Sequence, residues 1–238
     1  MLSSLGAFVG SRALAQITPT GLTIDQEQHL GSIMWEKWKA ERGIDETPQS
    51  VRVERYLQSV CERLAPHVPH KMKFHAHLDA DPAFKSAIAL PGGHLVVGVG
   101  ILALVDSEDA LAVVIGHEMA HIDNGDIDAD LARIEKTQHV APLRLADLPV
   151  DALTPDHTNA QELAADRGGL TFAAAAGYSP YAGVRLLELF QYIARGKSPR
   201  PGTLTLEQRI ARMRRLLASN DWQSLKNRIR PLTLPEPS

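Results

Sequence analysis

Val113-Val114-Ile115-Gly116-His117-Glu118-Met119-Ala120-His121 is the stretch on which the reading of this chain rests. On a helix, residues i and i+4 lie one above the other, so His117 and His121 share a face and their imidazoles can converge on one Zn²⁺. Glu118, next to the first histidine, is placed to hold a water on that ion and take its proton. The flanks support a helix. Ser107 reads as an N-cap, Glu108 and Asp109 put acids in the first turn, and Gly125 reads as a stop. Leu111, Val114, Ile115 and Met119 supply an apolar stripe at helical spacing. Buried imidazoles and carboxylates are costly without a partner, and a metal provides one. The plainer alternative is a surface helix with solvated histidines, and the apolar run argues against it.

A catalytic zinc site wants three protein ligands and one open position. A metzincin arrangement needs Gly at 124 and His at 127, where Asn124 and Ile127 stand. A deformylase-type cysteine is not offered either, because Cys61 sits in the helical stretch Tyr56 to Leu64. A carboxylate on a second helix is left. Asn159 to Arg167 carries Glu162 and Asp166, again at i and i+4. Glu162 can bind zinc while Asp166 accepts the outer N–H of a ligating histidine. An ordinary acidic helix face is the alternative for this segment taken alone.

With these pieces, the sequence resembles the minigluzincin zinc metallopeptidases of the HtpX, BepA and CAAX prenyl protease type, and looks closest to the soluble BepA-like members. The matching pieces run in family order: Ala89 to Leu102 with its Pro91-Gly92-Gly93, then His117 to His121, then Gln161 to Asp166, then Ala176 to Pro180. The resemblance carries zinc ligation onto His117, His121 and Glu162, the general base onto Glu118 and the orienting carboxylate onto Asp166. It implies one zinc per chain, proteolysis as the reaction, and a setting in envelope protein quality control. It also suggests that a side chain from the C-terminal part meets the oxyanion, with Arg209 and His157 as candidates. Three positions depart from the family pattern: Ser86-Ala87-Ile88-Ala89 ahead of the Pro-Gly-Gly, Asp126 where a histidine is common, and Thr203-Leu204 where His-Pro usually precedes the last helix.

Composition bounds the rest. A chain of 238 residues, 44% hydrophobic, is long enough for a real core in one domain. A net charge of −3 gives no footprint for nucleic acid, and the C-terminal arginines (Arg209, Arg212, Arg214, Arg215, Arg228, Arg230) read as a solvated face. One cysteine allows no intrachain disulfide, so sulfur says nothing of compartment. Leu95 to Val105 is too short and glycine-broken to span a bilayer. Leu2 to Val9 is mildly apolar, and Ala13-Leu14-Ala15 has the look of a signal-peptidase site. Residues 1–20 therefore read as a signal peptide or flexible N-terminus, 21–230 as the metallopeptidase domain and 231–238 as a tail. Export to the periplasm is the corresponding location, with the cytoplasm as the alternative.

Periodicity predicts helices over Thr23 to Arg42 and Ser50 to Val68, a half-buried strand over Lys71 to Leu78, and a second strand over His94 to Val99. His75 and His77 share a strand face with Lys71 and Lys73 and read as solvated. Closing helices are expected over Pro180 to Arg195, Leu206 to Ala218 and Asp221 to Arg230. The sum is an α+β fold, mostly helical and zincin-like, with a small sheet whose edge strand borders the active-site cleft. Gly93, His94, Leu95 and Val96 are the expected docking edge for an extended peptide or protein substrate. Ile127 to Asp156, with prolines at 142, 149 and 155, reads as a long connection and a candidate lid. A non-proteolytic, zinc-containing chaperone or adaptor is the rival reading.

Overall fold

The computed structural model describes residues 22–44, 46–70, 72–139, 141, 144, 147–149, 157–195 and 202–235. The expected leader, residues 1–20, lies outside them, as does much of the proposed lid. Helix α1 (Ile24–Arg42) starts from a capping box in which the Thr23 side chain accepts from the Gln26 N–H and the Gln26 side chain returns the bond. Helix α2 (Pro48–Leu64) starts in the same way from Thr47, with proline at its first turn. These helices lie beside a three-stranded sheet of β1 (His75–Asp79), β2 (Ala87–Leu90) and β3 (His94–Gly98), in the order β1-β3-β2. The pair β1–β3 is parallel and β2–β3 antiparallel.

That order corrects the expected docking edge. His94, Leu95 and Val96 belong to the central strand, hydrogen-bonded on both sides and buried, and Gly93 is buried in the turn before it. No main-chain edge is left there for a substrate. The edge that borders the cleft is β2, a four-residue Ala-Ile-Ala-Leu strand whose sequence gives little signal of its own.

The face of β1 and β3 beneath α1 is also different from the solvated one expected. His77 stacks on Trp35 with ring centroids 4.3 Å apart. His77 Nε2 lies 2.8 Å from His94 Nδ1, His94 Nε2 lies 3.3 Å from Ser32 Oγ, and Ser32 Oγ donates to the Gln28 carbonyl at 3.0 Å. One direction of donation satisfies the whole series: Ser32 uses its proton on Gln28, so His94 must donate to it through Nε2 and accept from His77 at Nδ1. Burial, reinforced by neighbouring histidines, pushes His77 down to about 3 and His94 to about 4. Both rings are neutral at pH 7.

After the short α3 (Val99–Leu102) comes α4 (Glu108–Asp123), capped by Ser107 and carrying the motif in its second half. Its first-turn acids clamp later segments. Asp109 accepts from the backbone N–H groups of Ser179 and Arg230, and Glu108 accepts from the Tyr56 and Tyr178 hydroxyls. Because the backbone of Arg230 is also bound by the Glu108 N–H, this stretch runs extended across the end of α4. The expected helix over Asp221 to Arg230 is accordingly absent, and only a 3₁₀ turn, Gln223–Leu225, forms there. Leu232 and Leu234 of the expected tail pack against the core.

Gly125 (φ 73°) ends α4 only to begin α5 (Asp126–Gln138), so the first part of the expected lid is a helix. Ile127, Leu131 and Ile134 give it a buried stripe. Farther on, Leu148 packs against the core and its carbonyl accepts from Lys37 Nζ of α1. Helices α6 (Asn159–Ala175), α7 (Tyr181–Ile193) and α8 (Leu206–Ser219) complete an α+β fold, mostly helical around one small mixed sheet. No helix of the described residues is long and apolar enough to cross a membrane.

Candidate active site

The site depends on how closely α4 and α6 approach. A Cβ on Gly169 would meet His117 N and Val113 O at 2.9 Å each, and one on Gly168 would meet Ala120 Cβ at 2.4 Å. Only glycine lets the two backbones touch here, and that contact brings the first turn of α6 over the histidines. Thr158 and Gln161 form the capping box of α6, and Glu162 follows at once. Thr205 and Gln208 do the same for α8, and Arg209 follows. Asn159 joins the two starts, donating to the Gly202 carbonyl and accepting from the Leu204 N–H, both at 2.8 Å.

His117, His121 and Glu162 converge. The two Nε2 atoms are 3.1 Å apart, and the Glu162 oxygens lie 3.8 Å from His117 Nε2 and 3.7 Å from His121 Nε2. Both outer nitrogens face carboxylates: His117 Nδ1 is 3.3 Å from Asp166, and His121 Nδ1 is 2.9 Å from Asp126. Those partners favour Nδ1–H on each ring and turn two Nε2 lone pairs towards one another and towards an anion. Such an arrangement is repulsive without a cation among the three atoms. Ligands set tetrahedrally at zinc–nitrogen distances stand about 3.3 Å apart, so the donor set fits zinc in spacing and in chemistry.

Asp166 lies against the outer nitrogen of His117. Burial would raise its pKa, but hydrogen bonds from His117 and Arg209 hold it at about 2. Asp126 was missed as a partner: what reads as a departure from the family pattern is the buried carboxylate that orients His121. Its place five residues after the second ligand, just past a glycine turn, is the signal that could have found it.

Glu118 is buried at the cleft floor. Burial pushes its carboxyl up to about 7, with the charge of Glu162 adding to the rise, while His121, the Ala89 N–H and Arg209 oppose it. The hydrogen bond from Ala89 ties this carboxylate to β2. Arg209 grips Asp166 through Nε and Nη2 at 2.9 and 2.6 Å, and Glu162 through Nη1 at 2.9 Å. Burial works against its charge, yet these carboxylates raise its pKa above the ordinary value. His157 stands elsewhere on the rim, its ring stacked on His121 with centroids 3.8 Å apart and 14° between planes. The cleft encloses about 730 Å³. One wall is β2 with Lys85 and Ser86, and the opposite side is apolar, from Leu186, Leu187 and Phe190 of α7 and Leu206 and Met213 of α8.

A paired-histidine helix, a carboxylate from a second helix and a buried glutamate beside a strand edge left unpaired among the described residues make a metallohydrolase-type arrangement. Comparison with known proteins agrees. Residues 51–147, the segment holding the sheet, α4 and α5, match the model of peptidase family M48. The chain is 31% identical over 101 residues to the mitochondrial metalloendopeptidase OMA1 of Schizosaccharomyces pombe (strain 972). That alignment covers 42% of this chain and 30% of the relative, so the chain spans under a third of that protein. Glu162, Asp166 and Arg209 fall beyond the residues that match the family model and stand on geometry.

Proposed function

We propose that this protein is a zinc-dependent metalloendopeptidase that cleaves protein substrates held in extended form, with Glu118 as general base. The observation that carries the proposal is the convergence of His117, His121 and Glu162 beside the buried carboxylate of Glu118. Bound by those three side chains, zinc supplies Lewis acidity for the scissile carbonyl and eases deprotonation of a water. Glu118 takes the proton of the attacking water and passes it to the leaving amine, a task suited to a carboxyl whose pKa burial has raised. The Ala89 N–H holds that carboxylate in place while the outer side of β2 offers main-chain groups to an extended peptide. Of the two oxyanion candidates, Arg209 suits the role better. Two of its N–H groups bond Asp166 and Nη1 pairs with Glu162, so among the described residues part of its five-donor fork stays available, and it lines the cleft.

The rival, a chaperone or adaptor with structural zinc, has no use for a buried base on an open cleft. Zinc analysis and digestion of an unfolded protein, with and without chelator, test the reading. Glu118→Gln should keep zinc and lose cleavage, since the amide cannot accept the proton. Cleavage near the wild-type rate by that variant would remove Glu118 from the role. An exported, envelope quality-control setting is the further reading suggested by the likeness to BepA-type members, and cell fractionation of the full chain decides between it and the cytoplasm.

A further inference from the structure

His121 is held from more directions than metal ligation needs. Its Nδ1 meets Asp126, its Nε2 turns to the ligand cluster, and the His117 ring meets it edge-on at 4.7 Å and 85°. One ring face is then covered by His157. His157 is itself paired, its Nδ1 2.9 Å from Oδ2 of Asp130, a close contact not aligned as a hydrogen bond, and both atoms are buried with no hydrogen-bond partner among the described residues. Asp130 is 6% exposed and touches Arg133 with its other oxygen at 3.2 Å. Asp126 and Asp130 lie one turn apart on α5, so a single helix supports the second histidine twice, directly and through a stacked ring.

We propose that His157, fixed by Asp130, is a positioning residue that sets the ring plane of His121. The inference rests on the zinc-peptidase reading above. The stack itself argues that His157 is no ligand in this conformation. An imidazole lone pair lies in the ring plane, and near-parallel planes separated by a stacking distance do not meet at a point about 2 Å from a nitrogen of each ring. His157 is accordingly outside the cluster of His117, His121 and Glu162. What it contributes is confinement. A ligand ring free to rock about its side-chain bonds loses affinity when it must be stilled, and groups that orient ligands are worth ~10–100-fold in metal binding.

The test is zinc competition against a chelator, together with the visible spectrum of the Co²⁺-substituted protein, for wild type, His157→Ala, His157→Phe and Asp130→Asn. Expected are a loss of about tenfold in zinc affinity and a shifted or broadened Co²⁺ band for His157→Ala. His157→Phe restores both, because it keeps a ring on the face without a nitrogen, and Asp130→Asn falls between. His157→Ala with wild-type affinity and spectrum overturns the proposal. So does a His157→Phe protein as impaired as His157→Ala, which would make the nitrogen the active part. Should His157→Ala fail to fold, Asp130→Asn decides: weakened zinc binding with a shifted Co²⁺ band supports the proposal, and wild-type affinity and spectrum overturn it. Wild type that binds no zinc would instead sink the peptidase reading, a distinct failure.

Discussion

Arg209 is the residue on which most of the site's charge converges. It neutralises Asp166, the partner of His117, and Glu162, the proposed third ligand, while lining the cleft. These roles separate experimentally. Arg209→Gln removes a cation but no ligand, so zinc should stay bound while kcat falls by about 10²–10³, the usual cost of losing an oxyanion donor. Arg209→Lys should not rescue turnover, since one ammonium cannot copy a fork shared between two carboxylates. Parallel zinc analysis and steady-state kinetics check both. Zinc lost in step with kcat would mean that Arg209 only holds Glu162 in place.

Among the elements, the α4–α6 crossing decides whether the third ligand reaches the histidines. Gly169→Ala places a methyl against His117 N and Val113 O, backbone atoms that cannot swing aside. Overpacking of this kind costs about 1–3 kcal/mol, and the forced separation should also weaken zinc binding. Urea unfolding and chelator competition read the two effects, and unchanged values in both would mean the helices can part freely. The elements also divide by how openly the sequence announces them. The metal helix and the Glu162/Asp166 pair are legible because helical spacing is local: i and i+4 share a face whatever the rest of the chain does. Strand β2 is not, because four apolar residues become a strand only when β3 lies beside them. The centrality of β3 likewise depends on pairing with β1, an earlier segment, as well as with its immediate neighbour β2. Helix α5 was readable in principle from Ile127, Leu131 and Ile134, but a glycine after the metal helix looks the same whether it ends structure or turns it. His77 looked solvated because no local pattern reveals that Trp35 will cover it.

For the whole molecule, the buried histidines beneath α1 set a limit in acid. His77 and His94 have folded pKa values of about 3 and 4, below the ~6.5 of an unfolded histidine. As pH falls through 6.5 the unfolded chain takes up protons that the folded one refuses, so unfolding gains. The contribution is fully present above that pH and is lost progressively, down to about 4 for His94 and about 3 for His77. His75 and Lys73 add positive charge to this face, and Lys39 of α1 bears on His77. Tm should therefore fall between pH 6.5 and 4. His77→Phe, which keeps a ring on Trp35 but gives up one titrating group, should start lower and fall less steeply. A slope equal to wild type would place the acid lability elsewhere.

The spacing of the ligands along the chain carries a last consequence, for the order of assembly. His117, His121 and Asp126 are neighbours in sequence and come together as soon as α4 and its turn form. Glu162 arrives only when α6 docks through its glycines, a closure over a long loop. A nascent chain thus holds a weak two-histidine half-site before it holds the full one. Metal supplied during refolding should capture that half-site and speed the docking of α6, whereas metal added afterwards meets a site already closed.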